Sequence, residues 1–234
     1  LMLIQDSILK ISDKVCRDYV ELENLQNSYK GCTQFVEMTI DFIKKRLYDY
    51  FKDRKPNYDI IFRGEKTLNN NNSIFRYLID PMCGKINLLH AIPYFCTSIA
   101  LQKKNKDGEY LTICGVIDNP VAQETFIVEQ GKGAYTNSRR IRVSARTNLE
   151  DSLIAFSDIS TYTHSKKFKN IILNNCETLN ICNVANGKFD AAFITNNNVF
   201  LELPFLIVKE AGGLIKNNDD GKVIVCNDLI YSKL

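Results

Sequence analysis

The segment from Ile79 to Leu88 constrains the fold more than any other, because it connects two predicted strands. It reads Ile-Asp-Pro-Met-Cys-Gly-Lys-Ile-Asn-Leu. Residues 75–79 are predicted as a strand. Residues 91–103 have the alternation of a second strand. The sequence therefore predicts two strands joined by a segment that carries Asp80.

Four residues of this loop match a known family motif in register. Asp80, Pro81, Gly84 and Asn87 agree with the loop Asp-Pro-Ile/Leu-Asp-Gly-Thr/Ser-x-Asn of the inositol monophosphatase family. Residues 90–101 read His-Ala-Ile-Pro-Tyr-Phe-Cys-Thr-Ser-Ile-Ala-Leu. This run is similar, almost residue for residue, to the strand that follows the loop in that family. The chain therefore resembles the inositol monophosphatase family.

Further matches to the family extend along the whole chain. Residues 17–31 resemble its bacterial extragenic-suppressor branch, and Gly64-Glu65 stands where the family has Gly-Glu-Glu. Similar matches to the family's central strands, hairpin turns and last lobe occur at residues 115–117, 131–137, 141–144, 186–191 and 210–213.

The resemblance implies a magnesium site. Glu65 and Asp80 match carboxylate ligands of the family, and Met82 is assigned to the metal site with them. Gly84 and Lys85 match the part that would bind phosphate. Glu65, Asp80 and Lys85 are the positions expected to carry catalysis. The implied reaction is hydrolysis of an inositol or sugar phosphate by a water molecule that attacks in line.

Several ligand positions depart from the family pattern. Cys83 stands where the loop's second aspartate is expected, and Lys85 stands at the threonine. A further family aspartate, about ten residues before Glu-Ala-Gly-Gly, falls on Phe200 or Leu201, neither of which can hold a cation. Glu202 is a possible substitute ligand if its helix begins in a shifted register.

These exchanges change the charge of the site. Glu65, Asp80 and Lys85 together carry a formal charge of −1. A thiol is a poor ligand for Mg²⁺, which prefers oxygen, and an ammonium repels a divalent ion. We therefore expect magnesium to be bound weakly or not at all. Two interpretations of Lys85 stay open: its ammonium replaces a magnesium ion and neutralises Glu65 and Asp80, or it points into solvent.

Composition is typical of a globular protein. The chain has 234 residues, 45% hydrophobic and 24% charged, with a net charge of +3. That charge is too small to predict a nucleic-acid or anionic-membrane partner. We find no apolar run of about 18 residues and no signal-peptide pattern. The eight cysteines are scattered without a Cys-x-x-Cys pair, which favours reduced thiols and a cytoplasmic location.

The resemblance also implies the fold: an α/β (α+β) chain arranged as a five-layered α-β-α-β-α sandwich. The expected organisation is one continuous two-lobe unit, with an N-terminal lobe at residues 1–145 that carries the metal and phosphate loop and a C-terminal lobe at residues 146–234. Apolar spacing predicts helices that include residues 8–19, 35–51, 166–174 and 202–211.

Two functions from different classes follow. The first is a Mg²⁺-dependent phosphatase acting on a phosphorylated small molecule, weakened by the replaced ligands. The alternative is a non-catalytic regulatory protein of the extragenic-suppressor type, which acts through protein partners. A homodimer is expected in either case from the family.

Overall fold

The computed structural model describes residues 1–65, 73–157, 168–195, 198–217 and 222–234. Residues 1–125 form one compact unit and residues 126–234 a second. The lobes predicted from the sequence, 1–145 and 146–234, stay a prediction. None of the helices in the described ranges is long and apolar enough to cross a membrane.

The described part of the first unit contains the helices α1 (Met2–Leu9), α2 (Ser12–Leu25), α3 (Tyr29–Arg54) and α4 (Lys85–Leu89). Residues 8–19, predicted as one helix, contain the break between α1 and α2. The Ser12 hydroxyl donates to the carbonyl of Ile8 at 2.9 Å. Such side-chain bonds compete with the regular backbone ladder.

The helix α3 spans 26 residues, and the residues at its two ends explain where it begins and ends. The Ser28 side chain accepts a hydrogen bond from the Gly31 amide and caps the N-terminus. The helix ends just before Lys55, which precedes Pro56 and is therefore disfavoured in the helical region. Its buried face reaches the sheet through Phe51, whose ring stacks on Tyr77 with centroids 4.0 Å apart.

The strands of the first unit are β1 (Asp59–Phe62), β2 (Phe75–Cys83), β3 (Cys96–Lys104) and β4 (Tyr110–Asn119), in that spatial order. β1 runs parallel to β2, whereas β3 is antiparallel to both β2 and β4. The pairing of β2 with β3 shifts register between Asp80 and Cys83. This β-bulge bends the strand at the residue that the sequence analysis assigned to the metal.

The second unit contains the strands β5 (Glu124–Glu129, which begins at the end of the first unit), β6 (Gly133–Thr136) and β7 (Arg139–Arg140), with β5–β6 and β6–β7 paired antiparallel. A separate five-stranded sheet has the order β11-β12-β10-β8-β9. Its strands are β8 (Leu153–Phe156), β9 (Asn170–Leu173), β10 (Ala191–Ile194), β11 (Leu214–Asn217) and β12 (Val223–Cys226).

Among its described residues, the second unit also has the helices α5 (Glu177–Ala185), α6 (Glu202–Glu210) and α7 (Asp228–Tyr231). The core beside the five-stranded sheet includes Phe156 and Phe193, whose rings stack at 5.0 Å. Glu210, at the end of α6, accepts hydrogen bonds from the amides of Gly131 and Gly133 at 2.7 and 2.8 Å. These bonds fix the turn between β5 and β6 against the helix.

The helix predicted at residues 166–174 is wrong over its described part. Residues 166 and 167 lie outside the described ranges, and the structure places β9 at Asn170–Leu173. β9 pairs in parallel with β8, with Leu153 opposite Asn170 and Phe156 opposite Leu173. The adjacent β-branched residues Ile171 and Ile172 favour the extended conformation once a partner strand is present.

A buried carboxyl in the first unit makes its stability depend on pH. Asp118 lies in β4, is 5% exposed and accepts hydrogen bonds from Ser12 and Thr125. Burial raises the pKa of Asp118 above its ordinary value of 3.8, and these two hydrogen bonds offset the rise only in part. The folded state holds the proton of Asp118 more tightly than the unfolded state does. The contribution of Asp118 to stability therefore decreases as pH rises from the pKa of the unfolded state through the higher pKa of the folded state.

We therefore expect Asp118→Asn to become more stable relative to the wild type as pH is raised from about 4 to about 7. Urea unfolding of both proteins at a series of pH values measures this difference. Asp107→Asn, at an exposed turn position, controls for the general loss of one negative charge. If the difference in unfolding free energy between the variant and the wild type stays constant with pH, or changes in the opposite direction, the pKa of Asp118 is not raised in the folded state.

Candidate metal and phosphate site

Asp80 is buried in β2, and both of its carboxylate oxygens have partners. Its side chain is 4% exposed. Oδ2 accepts a hydrogen bond from the Arg63 guanidinium at 2.6 Å, and Oδ1 accepts one from the backbone amide of Met82 at 3.2 Å. The charge of Asp80 is therefore compensated by a side chain of the same unit.

Glu65 has a cationic partner of its own. It follows β1 in a turn where its amide donates to the carbonyl of Phe62. Its carboxylate lies 2.7 Å from the Lys44 ammonium of α3, and both side chains are partly exposed. The second carboxylate assigned to metal binding is thus neutralised as well.

Lys85 forms its ion pair with Glu37 of α3. Both side chains are about half exposed, at 43% and 50%. Neither interpretation offered by the sequence is correct in full. Lys85 is partly exposed but paired, and the cations that neutralise Asp80 and Glu65 are Arg63 and Lys44.

The helix α3 supplies two of these partners because of its geometry. Glu37 and Lys44 are two helical turns apart and therefore lie on the same side of α3. The helix contacts β1, β2 and α4. One rigid element thereby reaches both Glu65, after β1, and Lys85, at the start of α4.

The pairs remove the net negative charge that a divalent cation needs. Asp80 with Arg63, Glu65 with Lys44, and Glu37 with Lys85 make three pairs that are each formally neutral. Within the described ranges, no three His, Cys, Asp or Glu residues converge in a group that could hold a metal ion. As arranged, these donors do not fit a magnesium ion.

The residues around Asp80 complete the loop. Cys83 is 5% exposed and Met82 is 7% exposed. The carbonyl of Pro81 accepts a hydrogen bond from Thr97 at 3.0 Å. Asn87, which matched the family motif, donates to the carbonyl of Tyr94 at 2.7 Å. These contacts hold the loop to the strand that follows it.

Gly84 caps the N-terminus of α4 with a φ of 78°. This left-handed conformation strains residues that carry a Cβ, which explains the glycine. The helix α4 has five residues, so its dipole adds little to anion binding. Phosphate binding by Gly84 and Lys85 stays a prediction.

Glu202 belongs to the second unit, where it is the first residue of α6. Leu201, one candidate for the family's aspartate position, is fully buried. Glu202 borders a cavity of about 440 Å³ together with Phe205 and Lys209. Pro204 lies in the first turn of α6, as expected from the sequence. The role of Glu202 as a substitute ligand stays a prediction.

The sequence analysis missed Glu37, Lys44 and Arg63. Arg63 had one usable signal, since it lies two residues before Glu65 and in the same turn region. Glu37 and Lys44 had no local signal, because their importance comes from the packing of α3 against distant segments.

The Arg63 pair yields a test of what holds Asp80. Arg63→Ala leaves a buried carboxylate without its cation. We expect a loss of about 1–2 kcal/mol in the free energy of unfolding, below the 3–5 kcal/mol of a fully buried pair, because the Arg63 side chain is 43% exposed. Urea unfolding at neutral pH measures the loss.

Lys132→Ala is the control for the Arg63 variant, since the ion pair of Lys132 with Glu129 is largely exposed. Its effect should stay within about 0.5 kcal/mol. Equal losses in the two variants would show that Arg63 has no special part in holding Asp80.

Comparison with known proteins identifies the family. The model of the inositol monophosphatase family matches residues 4–231. An inositol-1-monophosphatase from Mesorhizobium japonicum is 27% identical over 245 residues, covering 99% of this chain and 90% of the relative. A Nus factor SuhB from Haemophilus influenzae is 24% identical, covering 91% of this chain and 82% of the relative.

Solved structures agree with these relatives. The extragenic suppressor protein SuhB from Bartonella henselae has a TM-score of 0.83 and 27% identity, covering 99% of this chain and 95% of its own. The expected fold class is confirmed, because the mixed α/β chain with two sheets matches the inositol monophosphatase and SuhB structures. The resemblance inferred from the sequence is confirmed with it: the chain belongs to the inositol monophosphatase family.

Proposed function

We propose that this protein keeps the inositol monophosphatase fold but hydrolyses inositol or sugar phosphates weakly or not at all. One observation carries the proposal: the carboxylates of Asp80 and Glu65 are ion-paired with Arg63 and Lys44. A magnesium ion would have to displace both cations before it could use these oxygens.

The two partner cations oppose magnesium binding. Two unit charges 4 Å apart interact by about 4 kcal/mol at the effective dielectric of a protein surface. A divalent ion beside Arg63 and Lys44 is repelled by at least that amount from each cation at this distance. Cys83 adds a thiol where an oxygen ligand is needed. Magnesium binding is accordingly weak or absent.

The same cations suit an anionic ligand. Arg63, Lys44 and Lys85 are each partly exposed, so a phosphate group could exchange places with Asp80, Glu65 or Glu37. A phosphorylated small molecule, such as an inositol or sugar phosphate, is therefore the proposed ligand even where hydrolysis is lost.

A second function is supported by the relatives named Nus factor SuhB. The chain would then act by binding a protein partner, as a homodimer in the cytoplasm, and would need no hydrolysis. Relatives named inositol-1-monophosphatase are matched over a similar share of the chain, so similarity alone favours neither function.

Phosphate release from inositol 1-phosphate at millimolar Mg²⁺ tests the proposal. We expect little turnover by the wild type and a gain of at least about tenfold in a variant that combines Cys83→Asp and Lys85→Thr with Arg63→Gln and Lys44→Gln. The gain follows from one more oxygen ligand and from removal of the cations paired with Asp80 and Glu65, a change of about 1.4 kcal/mol or more in the barrier. Turnover by the wild type at the level of active relatives would contradict the proposal.

Adding Glu65→Gln to that variant is the matched control. If the recovered activity uses Glu65 as a ligand, this change should remove it without altering the size of the side chain. Titration calorimetry with Mg²⁺ gives a readout independent of turnover. Stoichiometric micromolar binding by the wild type would also contradict the proposal.

A further inference from the structure

Cys83 and Cys96 stand directly opposite each other where β2 ends and β3 begins. They are Cα partners in the antiparallel ladder. Both are present as thiols, 5% and 0% exposed. Because residues directly opposite in such a ladder point to the same face of the sheet, the two sulfur atoms share one side.

The spacing suits a disulfide. Directly opposed residues have Cα atoms about 4.5 or about 5.5 Å apart, depending on the type of pair, and both values lie within the disulfide range of about 4.4–6.8 Å. Their Cβ atoms are about 4.5–5.5 Å apart, whereas a disulfide prefers about 3.8 Å. A small approach of the strand ends is therefore required.

The local structure permits this approach. Cys83 follows the register shift of β2, where the ladder is interrupted. It also precedes Gly84, which ends the strand with a left-handed turn. The strand end can therefore move relative to β3 more easily than the regular part of the ladder can.

The other cysteines lack this arrangement. In the described ladders, Cys114 lies opposite Leu101, and Cys226 lies opposite Ala191 and Leu214. The remaining cysteines lie in helices or at their caps: Cys16, Cys32, Cys176 and Cys182.

We propose that Cys83 and Cys96 are a redox modification site that forms a reversible intrachain disulfide under mild oxidation by a peroxide. One sulfur loses its proton and attacks the peroxide; an S–O bond forms, the O–O bond breaks, and one water leaves. The second sulfur then attacks the first; the S–S bond forms, the S–O bond breaks, and a second water leaves. Two thiols are oxidised while one peroxide is reduced to two waters.

Burial sets the conditions for this reaction. A buried thiol reacts slowly with large reagents, so we expect oxidation by hydrogen peroxide during brief opening of the strand ends. A cross-strand disulfide that pulls the Cβ atoms together stores strain, which makes it easy to reduce. The bond should therefore open again with a dithiol reductant.

The disulfide would close residues 84–95 into a covalent loop. This loop contains Lys85, which pairs with Glu37, and Asn87, which bonds to Tyr94 within the loop. Oxidation would restrict the loop's motion in the folded state and its freedom in the unfolded state. The inference depends on strand pairing and holds whether or not the protein hydrolyses phosphate.

Peptide mapping of the full chain after treatment with hydrogen peroxide tests this proposal. We expect a loss of two hydrogen atoms from the intact mass, one disulfide-linked pair of peptides containing Cys83 and Cys96, and full reversal by dithiothreitol. The melting temperature should rise on oxidation by about 5 °C, given the short loop that is closed.

Cys96→Ser and Cys83→Ala should each abolish the linked peptides, and Cys114→Ser should leave them unchanged. If either of the first two variants fails to fold, mapping of the wild type still decides the question. Linkage of any other pair, or oxidation of Cys83 to sulfinic acid without linkage, would overturn the proposal.

Discussion

The ion pair between Arg63 and Asp80 is the interaction on which the rest of the site depends. A carboxylate buried in a strand must be compensated, and in this chain a guanidinium does so. The loop after Asp80 is held by hydrogen bonds within the first unit. The backbone amide of Met82 donates a hydrogen bond to the Asp80 carboxylate, and the carbonyl of Pro81 accepts one from the Thr97 hydroxyl. The loop of an enzyme can thus persist as a structural element after its ligands have changed.

The groups that secure the fold differ from those assigned to the candidate site. The stacked rings of Phe51 and Tyr77 and the apolar part of β2 help to secure the first unit, and neither Phe51 nor Tyr77 is among the residues assigned to the candidate site. The fold can therefore be kept when a position such as Cys83 departs from the family pattern. Fold similarity alone consequently does not establish activity in this family.

Much of the fold could be predicted from the sequence, because local patterns and motif matches agreed. The strands around Asp80, the helix that includes residues 35–51 and the start of α6 follow from such signals. The helix expected at residues 166–174 failed because the pairing of β9 with β8 outweighed the helical spacing of apolar residues. The β-branched pair Ile171 and Ile172 was the one local signal for a strand, and it does not show which strand will be the partner.

The partners of the candidate site residues were not predicted from the sequence. The structure places Asp80 and Cys83 in β2, which extends beyond the strand predicted to end at residue 79, and Lys85 at the start of α4. Glu37 is 48 residues away from Lys85 along the chain. Such a pair depends on where α3 lies against β1 and α4, and that position is decided by the whole core of the first unit.

The single helix α3 also limits how this region can change. Glu37 and Lys44 serve two different segments from one side of the helix, and each added or removed residue turns a helix by about 100°. An insertion or deletion between them would rotate one partner out of reach while leaving the other in place. Substitution, rather than a change in length, is therefore the route by which evolution can alter this stretch of α3.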